Sequence, residues 1–225
     1  MKTRTRLKVI SFLGLAALML VSAAAAHRFV VIRGTPGDDI LTGTPSNDKV
    51  LARAGNDSIN ALEGGDLIFA GWGNDNSDAG PGNDRTHGGP GNDTMLGGDG
   101  NDRFWAGWGN DTVDGGPGND FALGGHGADN LSGGDGDDLL RGRRGNDHVD
   151  GGPGNDRIWV GHGADVENGG DGNDRLHALA DDDMVDTIDC GPGTDIVFLN
   201  AQESDVHVNC ELVRTRTNVK PGEDD

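Results

Sequence analysis

The chain has 225 residues, 41 of them glycine, a formal charge of −20 and only 4% aromatic side chains. So few large apolar groups argue against an ordinary globular core, and an acidic, aromatic-poor chain points by default to disorder. The negative charge disfavours nucleic acid as a partner, because phosphates are repelled, and it favours cations.

Residues 1–26 read as an export leader. Lys2, Arg4, Arg6 and Lys8 form a basic start, residues 9–21 an apolar run too short to span a bilayer comfortably, and Ala24-Ala25-Ala26 an A-x-A cleavage site. An uncleaved membrane anchor is the alternative. The leader predicts a secreted, extracellular protein with no membrane span after cleavage, in a place where disulfides persist. Residues 27–34 follow as one short apolar strand, Phe29-Val30-Val31-Ile32, suited to capping an open sheet edge.

From residue 35 to 183 an aspartate recurs every ninth residue without a slip, from Asp39, Asp48, Asp57 and Asp66 onward to Asp183, 17 in one register. Plain disorder has no need of register. A glycine sits two residues before all of them except Asp48 and Asp183, which follow Ser46 and Asp181. Two residues after the aspartate there is usually an apolar side chain, from Leu41 and Val50 through Met95 and Phe104 to Leu176 and Val185. Seven units read Gly-Gly-x-Gly-x-Asp in full, at 88–93, 97–102, 115–120, 124–129, 133–138, 151–156 and 169–174. A longer 36-residue period relates Pro81, Pro117 and Pro153, and also Trp72 and Trp108, which suggests growth by duplicating four units at a time.

Nine residues divide into a glycine-rich turn and a three-residue strand whose middle side chain points inward. Two units return the chain to its start, so one coil is 18 residues and successive coils stack at about 4.8 Å. That predicts roughly eight coils. One sheet carries Leu41, Ile59, Met95, Val113, Leu131 and Val149; the facing sheet carries Val50, Ile68, Phe104, Leu140, Ile158 and Leu176. One edge then holds Asp75, Asp93, Asp111, Asp129, Asp147 and Asp165, and the other Asp84, Asp102, Asp120, Asp138, Asp156 and Asp174. Stacked like charges repel, so the coil is expected to need a cation. Carboxylates and glycine-exposed carbonyls suit calcium, which takes six to eight oxygens.

The unit Gly-Gly-x-Gly-x-Asp-x-apolar-x resembles the RTX (haemolysin-type) calcium-binding nonapeptide, over about two thirds of the chain. The resemblance implies an all-β fold, a parallel β-roll or two-sheet β-solenoid. It also implies multiple calcium ions between turns of successive coils, held by aspartate carboxylates and backbone carbonyls.

After Asp183 the register breaks: Asp186 and Asp195 are nine apart but displaced by three. Cys190 and Cys210, the only cysteines, bracket this stretch. Oxidised together they would close a loop worth about 3 kcal/mol; a bond between two molecules is the alternative. Residues 184–213 read as a stapled C-terminal cap and 214–225 as a flexible tail. The run from Ile188 to Asp195, with Val208-Asn209-Cys210-Glu211, is similar to the ending of secreted calcium-binding repeat proteins of actinobacteria.

Ser77, Thr86 and Glu167 interrupt the apolar series and read as local irregularities. The tryptophans read as shields over a thin core, with Trp72 and Trp108 the alternative platform for a sugar ring. His126 and His162 read as solvated turn residues. No zinc-protease or nucleophile-elbow motif is present, so no enzyme activity is expected. The sequence therefore predicts a secreted calcium-binding roll that folds on export. Its alternative is a calcium-stiffened adhesin or matrix protein that binds glycans or cell surfaces.

Overall fold

A computed structural model describes residues 29–179, 182, 184–201 and 204–216. The leader at 1–26 lies outside the described residues, as do residues 217–225 of the tail; its first three residues, 214–216, belong to the strand Leu212–Arg216. Among the described residues no helix is long and apolar enough to cross a membrane.

Each nonapeptide supplies one strand and one turn. In the strand Arg103–Trp108 the side chains of Phe104 and Ala106 point inward and are buried, while Arg103 and Trp105 point outward. Alternation of this kind is what a pleated strand imposes. Successive units fall in different sheets, and each strand pairs in parallel with the strand one coil away. The register is 18 residues: Val113 opposes Leu131, Leu131 opposes Val149, Phe104 opposes Ala122 and Ala122 opposes Leu140. Eleven strands form one sheet and ten the other, giving about ten coils rather than eight. The two sets of inward residues expected from the sequence are the buried core of the solenoid.

The extra coils come from the segment after residue 183. Thr187–Asp189 and Val206–Val208 extend the ten-stranded sheet; Ile196–Asn200 and Leu212–Arg216 extend the other. The disulfide Cys190–Cys210 (Cα–Cα 5.2 Å) staples this end, with Cys190 inside the core. At the opposite end Val30–Arg33 pairs with Asp48–Ala54 and forms the edge of the eleven-stranded sheet. One expectation fails here. Val185 is exposed, and Ile188 takes the inward place beside Glu167. The step from Asp165 to its counterpart is 21 residues, to Asp186, so the three added residues are absorbed before the strand begins.

The three polar interruptions do point inward. Ser77, Thr86 and Glu167 are buried, and their side-chain oxygens have no hydrogen-bond partner. Ser77 and Thr86 lie where the core divides: one apolar cluster runs from Leu41 to Ala79, the other from Met95 to Leu199. Burial pushes the Glu167 carboxyl well above its ordinary range, with the charge of nearby Asp186 adding to it.

Replacing Glu167 with leucine removes two unpartnered oxygens, each of a kind that costs about 1–3 kcal/mol when buried. Glu167→Leu is therefore expected to raise the melting temperature. A carboxyl with a raised folded pKa favours the fold only while protonated, so its support is complete below about 4.5 and is lost as pH rises. The gain from Glu167→Leu should accordingly grow between pH 4 and pH 8; a gain that shrinks over that window contradicts the assignment.

Glycine spacing generates a second expectation. Gly118 has φ 150°, and a Cβ there would overlap the carbonyl oxygen of Gly100 one coil back, whereas nothing lies within 4 Å of a Cβ on Gly37. Gly118→Ala should lower stability by more than about 1 kcal/mol, while Gly37→Ala should stay within about 0.5 kcal/mol. Thermal unfolding of the two variants in excess calcium compares them directly.

Candidate metal centre

The turn from Gly88 to Asp93 shows how one site is built. Asp93 opens the next short strand, so its carboxylate sits at the rim between two coils. The N–H of Asp75 donates to Asp93 Oδ1 at 2.9 Å, and the N–H of Asp93 donates to Asp111 Oδ1 at 2.8 Å. On the other edge Asp84 donates to Asp102 at 2.8 Å and Asp102 to Asp120 at 2.7 Å. Two files of aspartates result, each carboxylate tied to the backbone of the coil before it.

The preceding residue makes a second file of opposite polarity. The N–H of Asn92 donates back to Asn74 Oδ1, and that of Asn110 back to Asn92 Oδ1, both at 2.8 Å. This asparagine file went unread in the sequence, although Gly-Asn-Asp recurs plainly enough to have revealed it.

The second carboxylate oxygen is the informative one. In all twelve aspartates from Asp75 to Asp174 expected as ligands, Oδ2 is buried with no hydrogen-bond partner. The same holds for Asp57, Asp66 and Asp195. In eight of the twelve, Asp93, Asp102, Asp120, Asp129, Asp138, Asp147, Asp156 and Asp174, Oδ2 faces a small cradle that a Cβ on the glycine five residues earlier would fill; Ala70, Ala79, Ala106 and Val160 hold that place before the other four. A side chain added to Gly88 would meet Asp93 Oδ2 and, at 2.6 Å, the carbonyl oxygen of Ala106 from the next coil. At Gly133 the same position would meet Asp138 Oδ2 and the carbonyl oxygen of Gly151. Carboxylate and carbonyl oxygens from adjacent coils thus converge where glycine leaves room.

The first two turns differ. Thr35 Oγ and Thr44 Oγ donate to Oδ2 of Asp39 and Asp48, each at 3.0 Å, and the backbone N–H groups of both threonines donate to the same oxygens. A threonine replaces the second glycine of the motif in these turns, so Oδ2 of both aspartates, and Oδ1 of Asp48 as well, is satisfied without a cation. They close the array rather than extend its orphaned oxygens.

Burial dominates the electrostatics. It lifts the carboxyls of Asp84 and Asp93 to about 7 and that of Asp147 to about 8, the backbone N–H from the preceding coil pulling the other way. Repulsion from the neighbouring aspartates adds to this, as Asp111 and Asp75 do for Asp93. Like-charge repulsion, the cost expected from the sequence, is present but the smaller one; lost hydration is the larger.

The donor set is oxygen only, which fits calcium. Among the described residues no three His, Cys, Asp or Glu side chains converge on one point. A calcium ion would be held by the aspartate Oδ2 atoms with carbonyl oxygens such as those of Ala106 and Gly151. It would supply positive charge to carboxylates that have lost their water. His162 instead lies 3.5 Å from Asp182, and His126 packs against Trp108.

Protons and cations compete for the same oxygens. A carboxyl raised from 3.8 to about 6–8 supports the fold fully below about 4 and loses that support as pH rises through 8. The metal-free chain should therefore gain strand signal on acidification from pH 8 to pH 4. The calcium concentration at half-saturation should rise over the same window. Circular dichroism titrations at several pH values check both.

One family, described as the RTX calcium-binding nonapeptide repeat (4 copies), matches residues 31–59, 52–85, 87–122, 123–158, 159–187 and 168–202. No curated protein matches the chain. With matches across most of its length, two parallel sheets on an 18-residue coil and orphaned carboxylates in every full repeat, the chain belongs to the RTX calcium-binding nonapeptide-repeat family.

Proposed function

We propose that this is a secreted, non-enzymatic protein whose calcium sites fold the chain after export. The observation that carries the reading is the buried, unpartnered Oδ2 repeated in every interior turn. Ions that bind only the folded state stabilise it by mass action. A site filled at one hundred times its dissociation constant adds about 2.7 kcal/mol, and many such sites add up. The core they supplement is thin, one or two inward side chains per half-coil, interrupted by Ser77, Thr86 and Glu167. The basic and apolar leader at 1–26 supports export into a calcium-rich medium, and the disulfide is compatible with it.

In excess chelator at neutral pH the chain is expected to lack most of its strand signal and to regain it cooperatively with added calcium. Full strand signal in chelator would sink this reading.

A second reading, an extracellular adhesin or matrix protein, is supported by Trp72 and Trp108. These residues are 70% and 66% exposed, so they do not shield the core. They stand in one file at a rim of the eleven-stranded sheet, where Pro90 pairs with Trp108. Trp72→Ala with Trp108→Ala should abolish glycan-array binding if that rim is the contact, and leave calcium-induced folding intact.

A further inference from the structure

The net charge conceals a division between the two faces. All twelve lysines and arginines among the described residues lie on strands of the eleven-stranded sheet; the ten-stranded sheet has none. The outward positions of the ten-stranded sheet carry Asp78, Asp114, Asp150 and Asp189 instead. Among the described residues none of the twelve cations forms an ion pair with a carboxylate. Arg85 stands directly opposite Arg103, and Arg157 opposite Arg175, one coil apart at about 4.8 Å. Exposed arginines serving stability would be set against some of the many acids this chain possesses. Stacking them beside each other costs energy, and the one acid drawn to them among the described residues is Asp137, whose carboxyl is lowered chiefly by Asn155 with the charge of Arg157 adding to it.

Between the arginines runs a file of rings. Phe69, His87 and Trp105 stack at 4.8 and 4.5 Å, and Trp159, His177 and Phe198 at 4.5 Å each. The Arg141 guanidinium lies 5.2 Å from the Trp159 ring centroid. These rings are half-buried, and the guanidinium groups of Arg214 and Arg216 lie 5.9 and 5.6 Å from the Phe198 ring centroid. Their faces are taken by one another, so nucleic-acid bases would find little to stack on along this file.

We propose that the outer face of the eleven-stranded sheet binds a linear acidic polysaccharide, its carboxylates paired with arginine forks such as Arg85, Arg103, Arg157 and Arg175. Guanidinium matches carboxylate in a planar, two-bonded fit. A six-residue strand makes the face only about 20 Å wide, with exposed Asp99, Asp135, Asp137 and Asp171 along one rim and Trp72 and Trp108 along the other. A single narrow polymer can lie within it; a nucleic-acid duplex would meet the rims. The inference narrows the glycan reading to acidic sugars and moves the contact from the tryptophan rim to the sheet face. It rests on the calcium-loaded roll.

The test uses the full chain at constant free calcium, titrated calorimetrically with short polygalacturonate oligomers. Dextran, single-stranded DNA and phosphatidylserine vesicles are titrated in parallel. The combined variant Arg85→Gln, Arg103→Gln, Arg157→Gln, Arg175→Gln should bind the oligomers at least tenfold more weakly, with a shallower salt dependence. Asp78→Asn with Asp114→Asn, which changes net charge on the other sheet, should leave binding within about twofold. The proposal is overturned if dextran binds as well as the uronate, if DNA or vesicles bind more tightly, or if the arginine variant keeps its affinity. Circular dichroism of each variant with and without calcium separates loss of the face from loss of the roll, since these arginines are exposed and outside the calcium turns.

Discussion

Each carboxylate in the two aspartate files from Asp57 to Asp174 is half-satisfied. One oxygen accepts the N–H of the aspartate one coil earlier, which locks the coils in register. The other is buried with nothing to bond. The first interaction requires the aspartate to be inside; the second makes its being inside costly unless a proton or cation arrives. Coil register and the proposed calcium dependence therefore have one origin. The glycines serve both, because they let coils approach closely and leave the cradle beside Oδ2 open.

The ends of the array are handled by different chemistry. At the start, Thr35 and Thr44 satisfy Oδ2 of Asp39 and Asp48 within their own turns. At the finish, Asp195 donates its N–H to Glu211, and the disulfide holds the last coil. Between them the core is thin and divided at Ser77 and Thr86, so the backbone ladders and the rim carboxylates carry much of the cohesion.

The two faces are independent of the rims. Outward positions on either sheet have no part in the core or in the aspartate files, so their residues can vary without disturbing the coil. That freedom allows every described cation to gather on one sheet while the chain as a whole remains strongly acidic. Net charge describes the field far from the molecule; at contact distance the local face decides.

A period of nine with a fixed inward position is enough to place Leu131 against Val113 and Val149, and Asp93 between Asp75 and Asp111. Strand alternation and 18-residue closure follow from spacing alone, so the fold and the two aspartate files were legible. That Asp186 follows Asp165 in the file was not, because an insertion of three shifts spacing without saying where the slack is taken up. Nor was the self-sufficiency of the Asp39 and Asp48 turns, which depends on where two threonine hydroxyls point. Sequence by itself determined the coil, its core and the ligand chemistry, since these repeat and reinforce one another. Only the tertiary structure decided which carboxylate oxygens stay unpartnered and that the cations share one face, because both depend on neighbours a full coil away.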